Sequence, residues 1–266
     1  MSVFSAVAVL ERDPDLGEDL SERQFELARQ QAVARLVQYP KGPWSVRRRD
    51  FKSAGSLGVL ITEGVLVRKV TVGDRTCAEL LGPGDITQPW LRLTTDSSIG
   101  TEINWQIAQP LTAAVLDRGF ATRVARWPEI SAAVARRLML RVHWLSFHLA
   151  VCHMRRVDDR LLLVLWHFAD RWGRVTPRGI QIDLPLAHSL LALVVGARRP
   201  SVTAAVKALS EAGRIESRPR SRWMLKGEAP LELRQMHASA ARGKHPAPLE
   251  LAGEERTSKP ARGSGR

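Results

Sequence analysis

The sequence has two cysteines, Cys77 and Cys152, and a single tyrosine. Two thiols cannot build a disulfide framework or a four-thiolate metal site. A bridge between them is disfavoured in a reducing compartment, so both are expected as small buried side chains. Long apolar runs are missing too. Leu161–Leu165 and Leu190–Val195 fall far short of the ~20 residues of a membrane span, and no membrane partner is expected. The opening MSVFSAVAVLERDPD has no basic leader before its short apolar stretch, which points to a cytoplasmic protein rather than a secreted one. Catalytic signatures are absent: there is no Ser/His/Asp order, no carboxylate pair at a turn, no Gly-rich phosphate loop and no nucleophile elbow. An enzyme is not expected. His143, His148 and His153 recur every five residues, a rotation of about 140° per step on a helix. They share no face, and metal ligation asks for i, i+4 or similar; no metal site is expected.

What is present suits a folded chain of two domains. Of the 266 residues, 44% are hydrophobic and 25% charged, close to a globular average. The formal charge is +13, and it is concentrated. Residues 1–154 carry a net +3, residues 155–226 a net +8, and the remainder +2. A solubility charge would spread more evenly; a compact basic module beside a nearly neutral one suggests a polyanion-binding domain joined to something else.

Periodicity divides the chain further. Ser21 opens a helical pattern (Phe25, Ala28, Val33, Leu36, Val37) that ends before Tyr39-Pro40. Residues 40–55 read as loop, with the basic run Arg47-Arg48-Arg49. Strands follow: Leu57–Ile61 and Val65–Val72 separated by Thr62-Glu63-Gly64, a hairpin at Gly73-Asp74, Thr76–Leu81, a turn at Gly82-Pro83-Gly84-Asp85, then Glu102–Ala108 and Leu111–Leu116 around Gln109-Pro110. Short strands at this spacing imply an antiparallel barrel or roll. Pro128 starts a long helix in its first turn. Ile130, Val134, Leu138, Val142, Leu145, Leu149 and Cys152 form one stripe; Leu140, Trp144, Phe147 and Val151 form a second. Two apolar faces need two surfaces. One face can lie on the roll, and the other most simply meets a second copy in a two-helix seam through Val134, Leu138, Val142, Leu145 and Leu149; the alternative is a helix buried wholly in one chain. Trp105, Trp144, Trp166 and Trp172 lie in apolar patterns and are expected in the core.

The informative stretch is LAHSLLALVVGARRPSVTAAVKALSEAGRI, residues 186–215. A first helix turns its Leu190, Leu191 and Val194 inward, and Gly196 supplies a turn. A second helix opens at Arg198-Arg199-Pro200 and buries Val202, Val206 and Leu209 until Gly213 caps it. Helix, short Gly-containing turn and helix make a helix-turn-helix. Its second helix offers Arg198, Arg199, Ser201, Thr203 and Lys207 on the polar face, with the N-terminal residues placed to reach base edges in a major groove. Arginine can give two hydrogen bonds to guanine, and hydroxyls can hold phosphates. A hairpin wing with Arg218, Arg220 and Arg222 would lie along the backbone. The bland alternative is an αα-hairpin with a solvated basic face.

These residues resemble the Crp/Fnr transcription regulators over about residues 32–226. The Gly64 strand pair and Leu81-Gly82-Pro83-Gly84-Asp85 are similar to the family's turn before its effector pocket. Val195 to Thr203 is similar to its G-x-S-R-E-T-V signature, and LWHFADRWGRVT to the helix that opens its DNA-binding domain. The resemblance implies an α+β chain: a cyclic-nucleotide-binding-like antiparallel β-roll (32–125), a dimerisation helix (126–156) and a winged helix-turn-helix (157–230). Residues 1–31 precede it as an N-terminal extension with the start of the first helix, and after Pro230 a composition rich in Ala, Gly, Pro and charge reads as a disordered tail (231–266). It places Arg199 on a base-reading arginine, Ser201 near phosphate, and His188 beside the duplex backbone. Pro200 stands where the family often has a base-contacting glutamate, Ala204 where a second arginine occurs, and Ala187 where threonine often caps the first helix. An altered target sequence follows.

The same resemblance places an effector pocket near Gly84, Asp85 and Arg92. The sequence there reads ITQPWLRLTTDSSIGTEINW and lacks the Gly-Glu turn and Arg-Ser/Thr pair that hold a cyclic phosphate, so cyclic nucleotide is not the expected effector. An iron–sulfur cluster needs more thiolates than the chain has, and nothing in the roll specifies haem; no cofactor is expected. The expected partners are double-stranded DNA and a second copy, with RNA polymerase a further candidate. A different class of function competes: a small-molecule sensor or adaptor whose basic domain docks on an acidic protein.

Overall fold

The computed structural model describes residues 5–45, 55–91, 100–219 and 222–231. The run Arg47–Arg49, Arg92, Arg220 and the expected tail beyond 231 lie outside them.

The N-terminal extension is built into the sheet. Strand β1 (Ser5–Ala8) leads into a helical turn α1 (Val9–Arg12), a 3-10 turn (Pro14–Gly17) and helix α2 (Glu22–Gln31). Helix α2 starts with a reciprocal cap, Ser21 and Gln24 each bonding the other's backbone N–H. The expected helical pattern does not run on to Tyr39. Val33–Tyr39 is strand β2, paired antiparallel with β1 on one side. The spacing of Val33, Leu36 and Val37 fits either period over so short a run, and pairing on both edges settles it as strand.

Strands β3 (Gly42–Pro43), β4 (Gly58–Val72), β5 (Arg75–Leu81), β6 (Ile86–Thr87) and β7 (Thr101–Leu116) complete an antiparallel roll in the order β1-β2-β7-β4-β5, with β3 on β7 and β6 on β4. The four strands expected around Gly64 and Pro110 are two long ones. β4 and β7 pair along their whole length, with register shifts between Ile61 and Leu66. Pro110 has no N–H for the ladder, and the bulge lies opposite it. Gly64 has φ +88°, and a Cβ there would sit 2.1 Å from the Pro110 carbonyl oxygen, so the crossing needs glycine. Inside the roll Val37, Ile61, Leu66, Leu81, Ile107 and Leu111 pack with Trp44.

Asp117 caps helix α3 (Arg118–Val124), its Oδ1 accepting from the Phe120 N–H at 2.9 Å. Helix α4 (Pro128–Cys152) follows, with proline in its first turn as expected. Its two halves have different surroundings. Ile130, Ala133 and Val134 are buried against the roll and N-terminal extension, and Leu138 packs on the same cluster. Val134 and Leu138, expected at a seam between copies, thus serve the chain's own core. Beyond them Met139, Leu140, Val142, Leu145 and Leu149 are exposed, Leu149 by 63%.

The C-terminal module comprises α5 (Val157–Trp172), a hairpin β8 (Gly173–Thr176) and β9 (Gly179–Ile182), α6 (His188–Val194), α7 (Arg199–Glu211), β10 (Ile215–Arg218) and β11 (Arg222–Leu225). Its sheet runs β10-β11-β9-β8. Roll, long helix and this module belong to one compact unit that ends at Glu228. No single helix among the described residues is long and apolar enough to cross a membrane.

The cysteine expectation is corrected: Cys77 is exposed and Cys152 only half-buried. Cys77 sits on β5 where its side chain faces outward, and Cys152 lies at the end of α4 beside the Val194 carbonyl. Trp166 is buried as expected, whereas Trp105, Trp144 and Trp172 are partly exposed.

Candidate nucleic-acid interface

Helices α6 and α7 meet at a turn whose geometry is specified by Gly196, at φ +63°. The Ala197 N–H reaches the Ala192 carbonyl at 3.0 Å. Arg160 of α5 grips the turn from below: one Nη donates to the Val195 and Gly196 carbonyls, each at 3.3 Å, while its Nε donates to the Met154 carbonyl at 2.7 Å. Sequence reasoning missed Arg160, because its partners are backbone oxygens that no side-chain pattern marks.

Helix α7 buries Val202, Ala205, Val206 and Leu209, which fixes its polar face outward. Arg198 is the N-cap residue and Arg199 the first helical residue; both are exposed, as are Pro200, Ser201, Thr203, Ala204 and Lys207. No side-chain partner is recorded for Arg198 or Arg199 among the described residues. Lys207 lies 3.8 Å from Glu211 one turn on. Gly213, at φ +66°, ends the helix, with the Arg214 N–H bonding the Leu209 carbonyl at 2.9 Å. Ala187 stands at the N-cap of α6 without a side-chain cap bond. His188 is partly exposed, and its Nδ1 lies 3.0 Å from Thr203 Oγ1.

The wing is anchored by Trp223, which is 1% exposed and donates through Nε1 to the Leu186 carbonyl at 3.1 Å. Its described arginines are engaged within the module: Arg218 pairs with Glu216 at 3.0 Å and Arg222 with Asp183 at 3.3 Å. Lys226 also bonds Glu216, which holds that carboxyl below its usual range. Among the described residues, Arg198 and Arg199 at the start of α7 are thus exposed without a side-chain partner, whereas Arg218 and Arg222 of the wing each have one.

The turn Gly82–Asp85 joins the roll to the helices. Asp85 is buried; its Oδ2 accepts from the Gly82 N–H at 2.8 Å and its Oδ1 from Arg171 near the end of α5. Burial pushes the Asp85 carboxyl above its ordinary range, against the pull of Arg171. The Trp172 indole lies against Gly82, where a Cβ would be 2.8 Å from the ring, and its Nε1 donates to the Pro83 carbonyl at 3.2 Å. On the other side the Gly84 carbonyl accepts from Arg137 of α4, which also makes two bonds to Asp13, at 2.7 and 3.0 Å. Gly84 and Asp85 thus meet α4 and α5.

A cavity of about 320 Å³ opens elsewhere, between the roll and α4, lined by Arg68, Trp105, Leu138, Arg141, Val142 and Leu145 among others. Two guanidiniums share one carboxylate at its edge: Arg141 is bidentate on Glu79 at 2.6 and 2.8 Å, and Arg68 approaches it at 3.5 Å. Neither Arg68 nor Arg141 stands out in sequence, since they come from a strand and a helix more than seventy residues apart.

Comparison with known proteins bears on both halves. Residues 159–234 match the model of the Crp-like helix-turn-helix domain. No curated protein matches the chain. Among solved structures, a CooA variant from Carboxydothermus hydrogenoformans is similar at TM-score 0.55 and 20% identity, covering 76% of this chain and 87% of its own. FixK2 from Bradyrhizobium japonicum is similar at TM-score 0.54 and 13% identity, covering 77% and 96%. A cyclic nucleotide-binding domain containing protein from Listeria monocytogenes EGD-e reaches TM-score 0.55 at 16% identity, covering 72% and 88%. This chain carries a Crp-like helix-turn-helix domain on the fold of the Crp/Fnr regulators.

Proposed function

We propose that the chain is a sequence-specific DNA-binding transcription regulator that acts as a homodimer. The observation that carries this reading is the start of α7: Arg198 and Arg199 are exposed, without a side-chain partner among the described residues, at the leading end of a helix whose opposite face is buried. A helix so mounted can enter a major groove with its first residues toward base edges. Arg199 reads guanine, Ser201 and Lys207 hold phosphate, and the wing with Arg218 and Arg222 follows the backbone.

The exposed apolar stretch of α4 supports the dimer. Val142, Leu145 and Leu149, with Met139 and Leu140, leave a length of helix uncovered in the single chain, and an antiparallel or parallel mate of the same helix would cover it. Two-fold symmetry then calls for an inverted repeat, half-sites about 10 bp apart. Any effector would act from the cavity beside Arg141, which touches α4 at the point where its buried half gives way to its exposed one. The test is selection of bound duplexes from a random pool by the purified protein. An enriched inverted repeat is expected; enrichment of no sequence would sink the reading and favour an acidic protein partner.

A further inference from the structure

The middle of the α7 outer face carries little hydrogen-bonding capacity. Between Arg199 and Lys207 the exposed side chains include Pro200, Ser201, Thr203 and Ala204; at about 100° per residue Ser201 falls at the edge of the face, next to buried Ala205, and the other three along its middle. Proline and alanine offer only carbon. Threonine has a hydroxyl, but here it is occupied: Thr203 Oγ1 lies 3.1 Å from the Arg199 carbonyl, to which it donates, and 3.0 Å from His188 Nδ1. The hydroxyl is thus engaged on two sides, by the Arg199 carbonyl and by the His188 ring nitrogen. Both bonds draw the oxygen toward the helix backbone and α6. With its hydroxyl so engaged, the part of the exposed Thr203 side chain still uncommitted is its methyl group.

Resting on the reading that α7 enters a major groove, we propose that the strip Pro200–Thr203–Ala204 recognises thymine by apolar contact with its C5-methyl group, and that His188 is a positioning residue that sets this preference by holding the Thr203 hydroxyl away from the bases. In the major groove only thymine presents a methyl, and threonine and alanine methyls are its natural partners. A carboxylate or amide at these positions would read cytosine or adenine instead. The half-site is then a guanine read by Arg199 beside one or more thymines.

The test uses the selected duplex and the full chain. Each thymine of a half-site is replaced singly by deoxyuridine, which removes the methyl and leaves every hydrogen-bonding group. Wild type should lose affinity by about three- to five-fold at one or more of these positions, the worth of a buried methyl. Thr203→Ser should bind but stop distinguishing thymine from uracil at one of them, and Thr203→Val should keep the distinction. His188→Ala should weaken it, and the double variant His188→Ala/Thr203→Val should restore it, which a merely structural role for His188 would not do. Equal affinity for thymine and uracil at every position overturns the proposal. Unchanged discrimination in both Thr203→Ser and His188→Ala overturns the parts given to those residues. Failure to enrich any duplex is a different result, and overturns the DNA-binding reading itself.

Discussion

In the proposed reading, base recognition rests on Arg199, because it is charged, exposed and without a side-chain partner among the described residues at the head of α7. Replacing it with alanine should cost about 1–3 kcal/mol of specific binding and relax the preference at one base pair per half-site; band-shift titrations against single-base variants of the site would show both. A second residue matters for stability. His167 on α5 is 1% exposed, and both its ring nitrogens are buried without a hydrogen-bond partner among the described residues. It packs in an aromatic group with Trp144, Phe147, His148 and Phe168. Burial lowers its pKa to about 2, helped by His148 and Arg171, and burial also lowers that of His148. Both histidines are neutral in the fold and gain protons on unfolding below pH ~6.5. Their contribution is therefore complete above pH ~6.5 and is lost as pH falls below it, for His167 at up to about 1.4 kcal/mol per pH unit, with His148 acting in the same direction. His167→Phe removes one proton from this difference. Urea midpoints between pH 7.5 and 5.5 should fall less steeply with acid in the variant than in wild type; equal slopes would contradict the account.

At the scale of elements, the turn Gly82–Asp85 does the most. It takes a carboxylate from the roll to Arg171 of α5, a carbonyl to Arg137 of α4 and a flat glycine face to Trp172. Arg171 also stacks on the Trp172 ring, its guanidinium carbon 4.0 Å from the centroid. Asp85→Ala leaves the four-fifths-buried Arg171 without its counter-charge. The expected loss is about 3 kcal/mol, measured as a lower denaturation midpoint, and an unchanged midpoint would show the pair to be dispensable. The turn itself is plain in sequence, because Gly-Pro-Gly-Asp admits few conformations. Its partners are not, since Asp85 and Arg171 stand 86 residues apart. Helix α4 shows the same division. Its apolar stripes are legible, but which residues of a stripe meet the chain's own core depends on where the roll and the N-terminal extension end along it. That is why Val134 and Leu138 turn inward while Leu145 and Leu149 do not.

For the whole molecule the question is what covers the exposed half of α4. In the proposed homodimer a charge placed there would be buried against its own copy. Leu145→Glu combined with Leu149→Glu should shift the protein from dimer to monomer in sedimentation analysis, and weaken binding to the inverted repeat more than to a single half-site. Helical content should hold, because both residues lie on the exposed stretch. A monomeric wild type would refute the assembly without touching the groove-reading helix. Charge belongs to this scale as well. The net excess of residues 155–226 is large in sequence, yet Arg218, Arg222, Lys226 and Lys207 each have an acidic neighbour in the module. The part free to meet phosphate is smaller than the sum suggests.

Local order was readable from residues alone. The 3.6-residue stripes of α4 and α7, proline at the start of α4 and glycine at the α6–α7 turn are short-range signals, and each reflects steric or hydrogen-bonding needs met within a few residues. They were enough to point to the helix-turn-helix and its leading arginines. Pairings over long separations were settled by packing: β2 as strand rather than helix, the fusion of four expected strands into β4 and β7, the Asp85–Arg171 contact, and the histidine that ties down Thr203. Such contacts form because the folded chain excludes water and brings remote groups within bonding distance, and no periodicity along the chain records that distance.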